Sequence, residues 1–158
     1  MNAVTGIGPR TGTSFVMSYL HEAGLIVNGH KFLPDLVVPE HNPNGYWELD
    51  PSEDIPTTGI SKLWRLWEYK NINKVVLLER QDVDAQLRSI KKVLDSELLL
   101  PKFKNLRNVY TPEKILSTYI IKTNNWLKKR DMSKTMLVYT ENINKELNNI
   151  KELLMEDN

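Results

Sequence analysis

The sequence predicts an α/β fold in three layers, a short parallel sheet with helices packed on both of its faces. Short apolar runs alternate along the chain with segments whose apolar residues recur at helical spacing, and that alternation favours parallel strands joined by crossover helices. Val75-Val76-Leu77-Leu78 is apolar without a break, as a strand covered on both faces is, and Met136-Leu137-Val138-Tyr139 is a further apolar run. A chain of 158 residues fits one domain, spanning 1–158. Chains of about this size remove roughly two thirds of their unfolded surface from water, enough for a real core.

The first strand ends near Val4-Thr5-Gly6, and the turn that follows opens a helix whose Phe15, Val16, Tyr19, Leu20 and Ala23 share one face before Gly24 stops it. Residues 25–56 read as a turn-rich insert, because Pro34, Pro39, Pro43, Pro51 and Pro56 punctuate them. A helix is expected to resume at about Thr57, with Ile60, Leu63, Trp64 and Trp67 on one side. Val75–Leu78 is then the second strand. Asp82 is placed to cap a helix carrying Val83, Leu87, Ile90 and Leu94. Residues 95–110 fit no single element. Thr111-Pro112-Glu113 supplies a cap and a first-turn proline for the helix of Leu116, Tyr119, Ile120, Thr123 and Leu127. Met136–Tyr139 is the third strand, and Ile143, Leu147, Ile150 and Leu154 describe a last amphipathic helix.

Composition narrows the functions. A net charge of +1, from 21 basic and 20 acidic side chains, argues against bulk electrostatic binding of nucleic acid or anionic lipid, so any anion site must be local. The chain has no Cys, which excludes disulfides, thiolate metal sites and Cys nucleophiles. No grouping of His, Asp and Glu has metal-ligand spacing, so no metal is expected. No secretory leader is recognisable, and no window approaches the roughly 18 apolar residues of a membrane span. A soluble, cytoplasmic protein is expected, with its oligomeric state open.

The stretch Gly6-Ile7-Gly8-Pro9-Arg10-Thr11-Gly12-Thr13-Ser14 between the first strand and helix carries the most chemistry. A glycine-containing turn converges backbone N–H groups on an anion, and the helix adds its free amides and the positive end of its dipole. It departs from the standard phosphate loop: Thr13 stands where that pattern needs Lys, and Ile7 where it needs its first Gly. Arg10 is the one cation inside the turn. Arg80 ends the second strand, where a sheet's carboxyl edge faces ligand, and its planar fork suits phosphate.

Pro9-Arg10-Thr11-Gly12-Thr13-Ser14 resembles the Pro-Lys/Arg-Ser-Gly-Thr-Ser/Thr loop of the PAPS-dependent sulfotransferases, with Thr11 for the usual Ser. Asn42-Pro43-Asn44-Gly45-Tyr46-Trp47-Glu48 is similar to the Asn-Pro-x-Gly-Tyr-x-Glu segment of small sulfotransferase-like proteins. Val138-Tyr139-Thr140-Glu141-Asn142-Ile143 resembles the family's structural Val-x-Tyr-Glu-Asp-Leu. The resemblance covers about a third of the chain. It implies a P-loop NTPase-like fold of the sulfotransferase kind, PAPS as donor and PAP as product. It implies that Pro9, Arg10, Thr11, Gly12, Thr13 and Ser14 hold the phosphosulfate. In the family an Arg ending the strand and a Ser eight residues later bind the donor's 3′-phosphate. Here Arg80 matches, Arg88 falls at the eighth position and Ser89 at the ninth, so either is a candidate. The family's late Gly-rich donor loop has no counterpart before Asn158, and the chain resembles a minimal or truncated member, of the kind found in bacteria and their viruses.

Sulfuryl transfer needs a general base on the acceptor and positive charge on the transferring group. Arg10 supplies the charge, and His41, Glu40 and Glu48 are the candidate bases, with weaker claims for His21 and His30. A histidine is attractive because its ordinary pKa lies near neutrality. The acceptor is a small molecule or glycan bearing a hydroxyl or amine. Trp64, Trp67 and Tyr69 either line its pocket or pack in the core, the commoner use of aromatics at helical spacing. Two other functions remain open. One is a nucleotide or nucleoside kinase using ATP and Mg²⁺, against which the missing loop Lys counts, Glu79 being the nearest acidic residue to a strand end. The other is a non-catalytic nucleotide-binding module.

Overall fold

The computed structural model describes residues 1–95 and 111–155. In chain order the elements are β1 (Asn2–Gly6), α1 (Thr13–Glu22), β2 (Ile60–Leu63), β3 (Val75–Glu79), α2 (Val83–Leu94), α3 (Pro112–Leu127), β4 (Thr135–Tyr139) and α4 (Ile143–Met155). The strands form one four-stranded sheet in the order β2-β1-β3-β4, every pair parallel. The expected α/β class with a parallel sheet is therefore present.

Side-chain alternation along the strands divides the core in two. Val4, Ile60, Val76, Leu78 and Val138 point to the face covered by Val16, Met17 and Leu20 of α1 and Ile143, Ile150 and Leu154 of α4. Ala3, Leu63, Val75 and Leu77 point to the other, where Leu66 and Trp67 and the end of α3 at Trp126 and Leu127 pack. Each fully buried Leu or Ile contributes about 1.5–3 kcal/mol. The caps follow the sequence: Asp82 accepts from the Ala85 amide at 2.9 Å, and Thr111 from the Lys114 amide at 3.2 Å, with Pro112 in the first turn.

One element differs. The helix expected from about Thr57 is instead β2, followed by a short 3₁₀ turn at Leu66–Glu68, so the sheet has four strands rather than three. Ile60, Ser61, Lys62 and Leu63 are all buried, which a helix with one wet face cannot achieve. The spacing misled because Ser61 and Lys62 read as an exposed face. Both are satisfied inside, and the free edge of β1 needed a partner: Asn2 pairs with Ile60 and Thr5 with Leu63, whose carbonyl also accepts from Thr5 Oγ1 at 2.7 Å. Across 25–56 the turn-rich reading holds, with a 3₁₀ turn at Pro39–His41 and a two-residue bridge of His30 to Glu48. Most of the segment 95–110, given no element above, lies outside the described residues.

The topology positions the site. From β1 the chain passes through α1 to β2 on one side, whereas from β3 it passes through α2 and α3 to β4 on the other, with α1 and α3 on opposite faces. The carboxyl ends of β1 and β3 thus border the point where the winding reverses, the place where open parallel sheets bind ligands.

Glu141, in the turn after β4, locks this edge. Its carboxylate accepts the Gln81 amide at 2.9 Å and the Asp82 amide at 3.3 Å, and chiefly the Gln81 bond holds its carboxyl below the ordinary glutamate value against the opposing effect of burial. A depressed folded pKa gives stability that is present above the unfolded value and lost as the pH falls through the folded one. Thermal melts from pH 7 downward are expected to show a shallower acid decline in Glu141→Gln than in the wild type; equal slopes would show that the bonds contribute nothing.

Candidate functional site

The loop after β1 is held by its carbonyls. Gln86 Nε2 of α2 donates to the carbonyls of Ile7 at 3.1 Å and Pro9 at 2.8 Å, Arg80 to that of Arg10 at 3.2 Å, and Thr140 Oγ1 to that of Thr11 at 2.7 Å. Donors from three elements therefore take the loop's acceptors. Gly12 precedes α1 in the left-handed region at φ 95 and has no side chain, so α1 begins without a side-chain cap. Its first amides, those of Thr13, Ser14 and Phe15, have no acceptor within the helix. An uncapped helix start with its dipole is an anion-binding geometry.

A cleft of about 670 Å³ opens over it, lined by Arg10, Thr11, Gly12, Thr13 and Ser14 together with His41, Arg80 and Ser89. Arg10 Nε donates to Ser89 Oγ at 2.9 Å across 79 residues of sequence. Arg10 itself sits at φ 66, a conformation that costs a non-glycine residue about 1–2 kcal/mol and that the loop's bonds enforce.

Each candidate residue now has a place. Pro9 borders a second, adjoining cavity rather than the cleft. Thr11 borders the cleft, yet its Oγ1 is buried without a hydrogen-bond partner, tucked where a Cβ on residue 6 would approach to 2.0 Å, which is why that position must be Gly. The Thr11 hydroxyl is thus turned under the loop. Ser89 faces Arg10, whereas Arg88 points outward from α2 and lines neither cavity. The helix turns by about 100° per residue, so a one-residue shift decides which of them reaches the loop. Glu40 is exposed and lines neither cavity; His21 stacks on Trp47 at 4.5 Å, and His30 pairs with Glu53 at 2.6 Å. Although sequence spacing suggested no metal ligands, one ligand atom each from His30, Asp50 and Glu53 lies within 4.8 Å of the others.

Lys62 is the functional candidate that sequence reasoning missed. Its side chain is 2% exposed, and its ammonium lies 2.6 Å from Glu48 Oε1 and 3.3 Å from Ser14 Oγ in the first turn of α1. The rings of Trp64 and Tyr46 flank it at 5.1 and 5.7 Å, and Trp64 Nε1 donates to the other Glu48 oxygen at 2.5 Å. Burial pushes the Lys62 pKa down and Glu48 pushes it back up, the burial effect being larger. The loop lacks its own Lys, and a neighbouring strand supplies one. The signal was a Lys inside a four-residue apolar-bounded run, which reads as a surface position unless the Glu48 partner is known.

Tyr46, Trp64, Arg10 and His41 line both the cleft and the second cavity, so the two spaces meet at these residues. Trp67 packs in the core as aromatics at that spacing usually do, while Trp64 is 45% exposed and borders both cavities. Comparison of the chain with protein-family models, with curated proteins and with solved structures found no match. Among the described residues no helix is long and apolar enough to cross a membrane.

Proposed function

We propose that the chain is a PAPS-dependent sulfotransferase on a P-loop-like α/β domain. The observation that carries the reading is the meeting, at the carboxyl ends of β1 and β3, of an uncapped helix start with Arg10, Arg80 and Ser89. The phosphosulfate lies on the amides of α1 and on Arg10, and the 3′-phosphate is read by Arg80 and Ser89.

In the transfer the acceptor's hydroxyl oxygen attacks sulfur. A new S–O bond forms as the bond from sulfur to the 5′-phosphate oxygen breaks, and the hydroxyl proton passes to a base. His41 is the base this geometry favours, because it borders both cavities. Glu48 suits the role less: one oxygen is held by Lys62 and the other by Trp64, so it positions the Lys62 ammonium. Charge developing on the leaving phosphate is offset by Arg10, the helix amides and Lys62.

Isothermal titration with PAP, beside ATP plus Mg²⁺, tests the reading. PAP is expected to bind and ATP to be ignored. Preference for ATP with magnesium would move the protein to phosphoryl transfer. Silence toward both would leave the fold without a nucleotide function, and PAP binding without turnover against any acceptor would mark a binding module.

A further inference from the structure

The second cavity, about 530 Å³, differs from the cleft in chemistry. Leu36, Val37, Val93, Leu94 and Ile115, contributed by the turn-rich insert, α2 and α3, form its apolar side, and Glu48, Lys62, Arg65 and Tyr69 line it as well. Pockets of this size take small organic molecules, and apolar walls with a few polar groups at one end fix such a molecule's orientation. The polar end here is the junction with the cleft. There Arg10, His41, Tyr46 and Trp64 are shared by both spaces, while Glu48 and Lys62 line the second cavity, with Lys62 3.3 Å from Ser14 of the cleft.

From this we infer that the second cavity binds the acceptor, and that the acceptor is an uncharged alcohol on a compact apolar body rather than a glycan or an amine. The inference rests on the reading of the cleft as the donor site, and it narrows the acceptor within that reading. The aliphatic side chains of Leu36, Val37, Val93, Leu94 and Ile115 offer the hydroxyls around a sugar no partners, and burying them unpaired is costly. An ammonium would meet Arg10, Lys62 and Arg65. The Glu48 carboxylate that could balance it is already occupied by Lys62 and Trp64, and Arg65 is paired with Glu68 at 3.2 Å. A neutral hydroxyl escapes both penalties. With the body seated between Leu36 and Val93, its oxygen lies at the four shared residues, beside His41 and within reach of the cleft.

Three probes separate the possibilities: 2-naphthylmethanol, the isosteric 2-naphthylmethylamine, and methyl glucoside, each titrated calorimetrically into the full chain, with PAP titrated in parallel. Leu36→Asp and Val93→Asp each place a carboxylate in the cavity lining, one from the turn-rich insert and one from α2, at positions that are only partly buried. The alcohol is expected to bind, the amine about tenfold or more weakly, and the glucoside not at all; each variant should weaken the alcohol about tenfold or more, since an unpaired carboxylate makes an apolar wall hostile, while PAP affinity stays as in the wild type. Unchanged alcohol affinity in both variants, binding of the glucoside, or an amine as tight as the alcohol would overturn the inference. If the alcohol binds and PAP does not, the donor reading fails and the apolar alcohol site stands. If PAP binds and the alcohol does not, the acceptor inference alone fails.

Discussion

Lys62→Met is expected to destabilise the protein by about 3–5 kcal/mol, the range measured when one partner of a buried ion pair is removed. For a chain of this length that corresponds to a fall in melting temperature of roughly 6–20 °C. The substitution keeps the volume of the stem and removes only the charge, leaving the Glu48 carboxylate buried with the Trp64 N–H as its remaining side-chain donor. Glu48→Gln should cost less, because Lys62 can respond by releasing its proton: burial already depresses its pKa, and the glutamate that opposes this is gone. In that variant the folded state binds fewer protons than the unfolded state between the lowered folded pKa and the ordinary lysine value. Its stability should therefore rise as the pH climbs through that window. The double variant Lys62→Met, Glu48→Gln should recover part of the loss, since neither charge is stranded. Chemical denaturation of the four proteins at neutral and alkaline pH measures all of this. Additive losses in the double variant would show that the pair is not coupled.

The same pair explains what could be read from the chain and what could not. The strands β1, β3 and β4 and all four described helices follow from apolar periodicity and local caps, because their burial is dictated by residues close in sequence. The edge strand β2 does not, because its Lys62 is paired with Glu48, fourteen residues upstream in an insert dense with proline. No local rule separates such a lysine from a solvated one. The strand–turn–helix junction at Gly6–Ser14 was legible because it is carried by contiguous residues. The choice between Arg88 and Ser89 was not, since it depends on the rotation of α2 about its axis, which Gln86 fixes by donating to the Ile7 and Pro9 carbonyls. The direction of the Thr11 hydroxyl was not legible either: left-handed turns flank it at Arg10 and Gly12, and the hydroxyl is turned inward toward Gly6.

Arg10→Ala is expected to weaken PAP binding by about 30- to 1000-fold, equivalent to about 2–4 kcal/mol for loss of a charged partner to phosphate. The fold should be nearly untouched, because the Arg10 side chain is exposed and donates to the partly exposed Ser89 rather than to the core. The backbone strain at φ 66 remains in the alanine variant, so the comparison isolates the guanidinium. Ser89→Ala should cost much less, about 1 kcal/mol, since it removes one hydroxyl from a group that keeps its charge. Arg88→Ala provides the contrast: a guanidinium of the same charge one residue away, pointing outward, whose removal should change affinity less than about threefold through long-range electrostatics alone. Titration of the three variants with PAP at low and physiological salt decides between a built site and a diffuse positive field. A site built by Arg10 gives a steep loss in one variant that persists at physiological salt. Equal losses for Arg10→Ala and Arg88→Ala, both fading with salt, would mean that the loop attracts anions without recognising them, and the donor-binding role of Arg10 would have to be withdrawn.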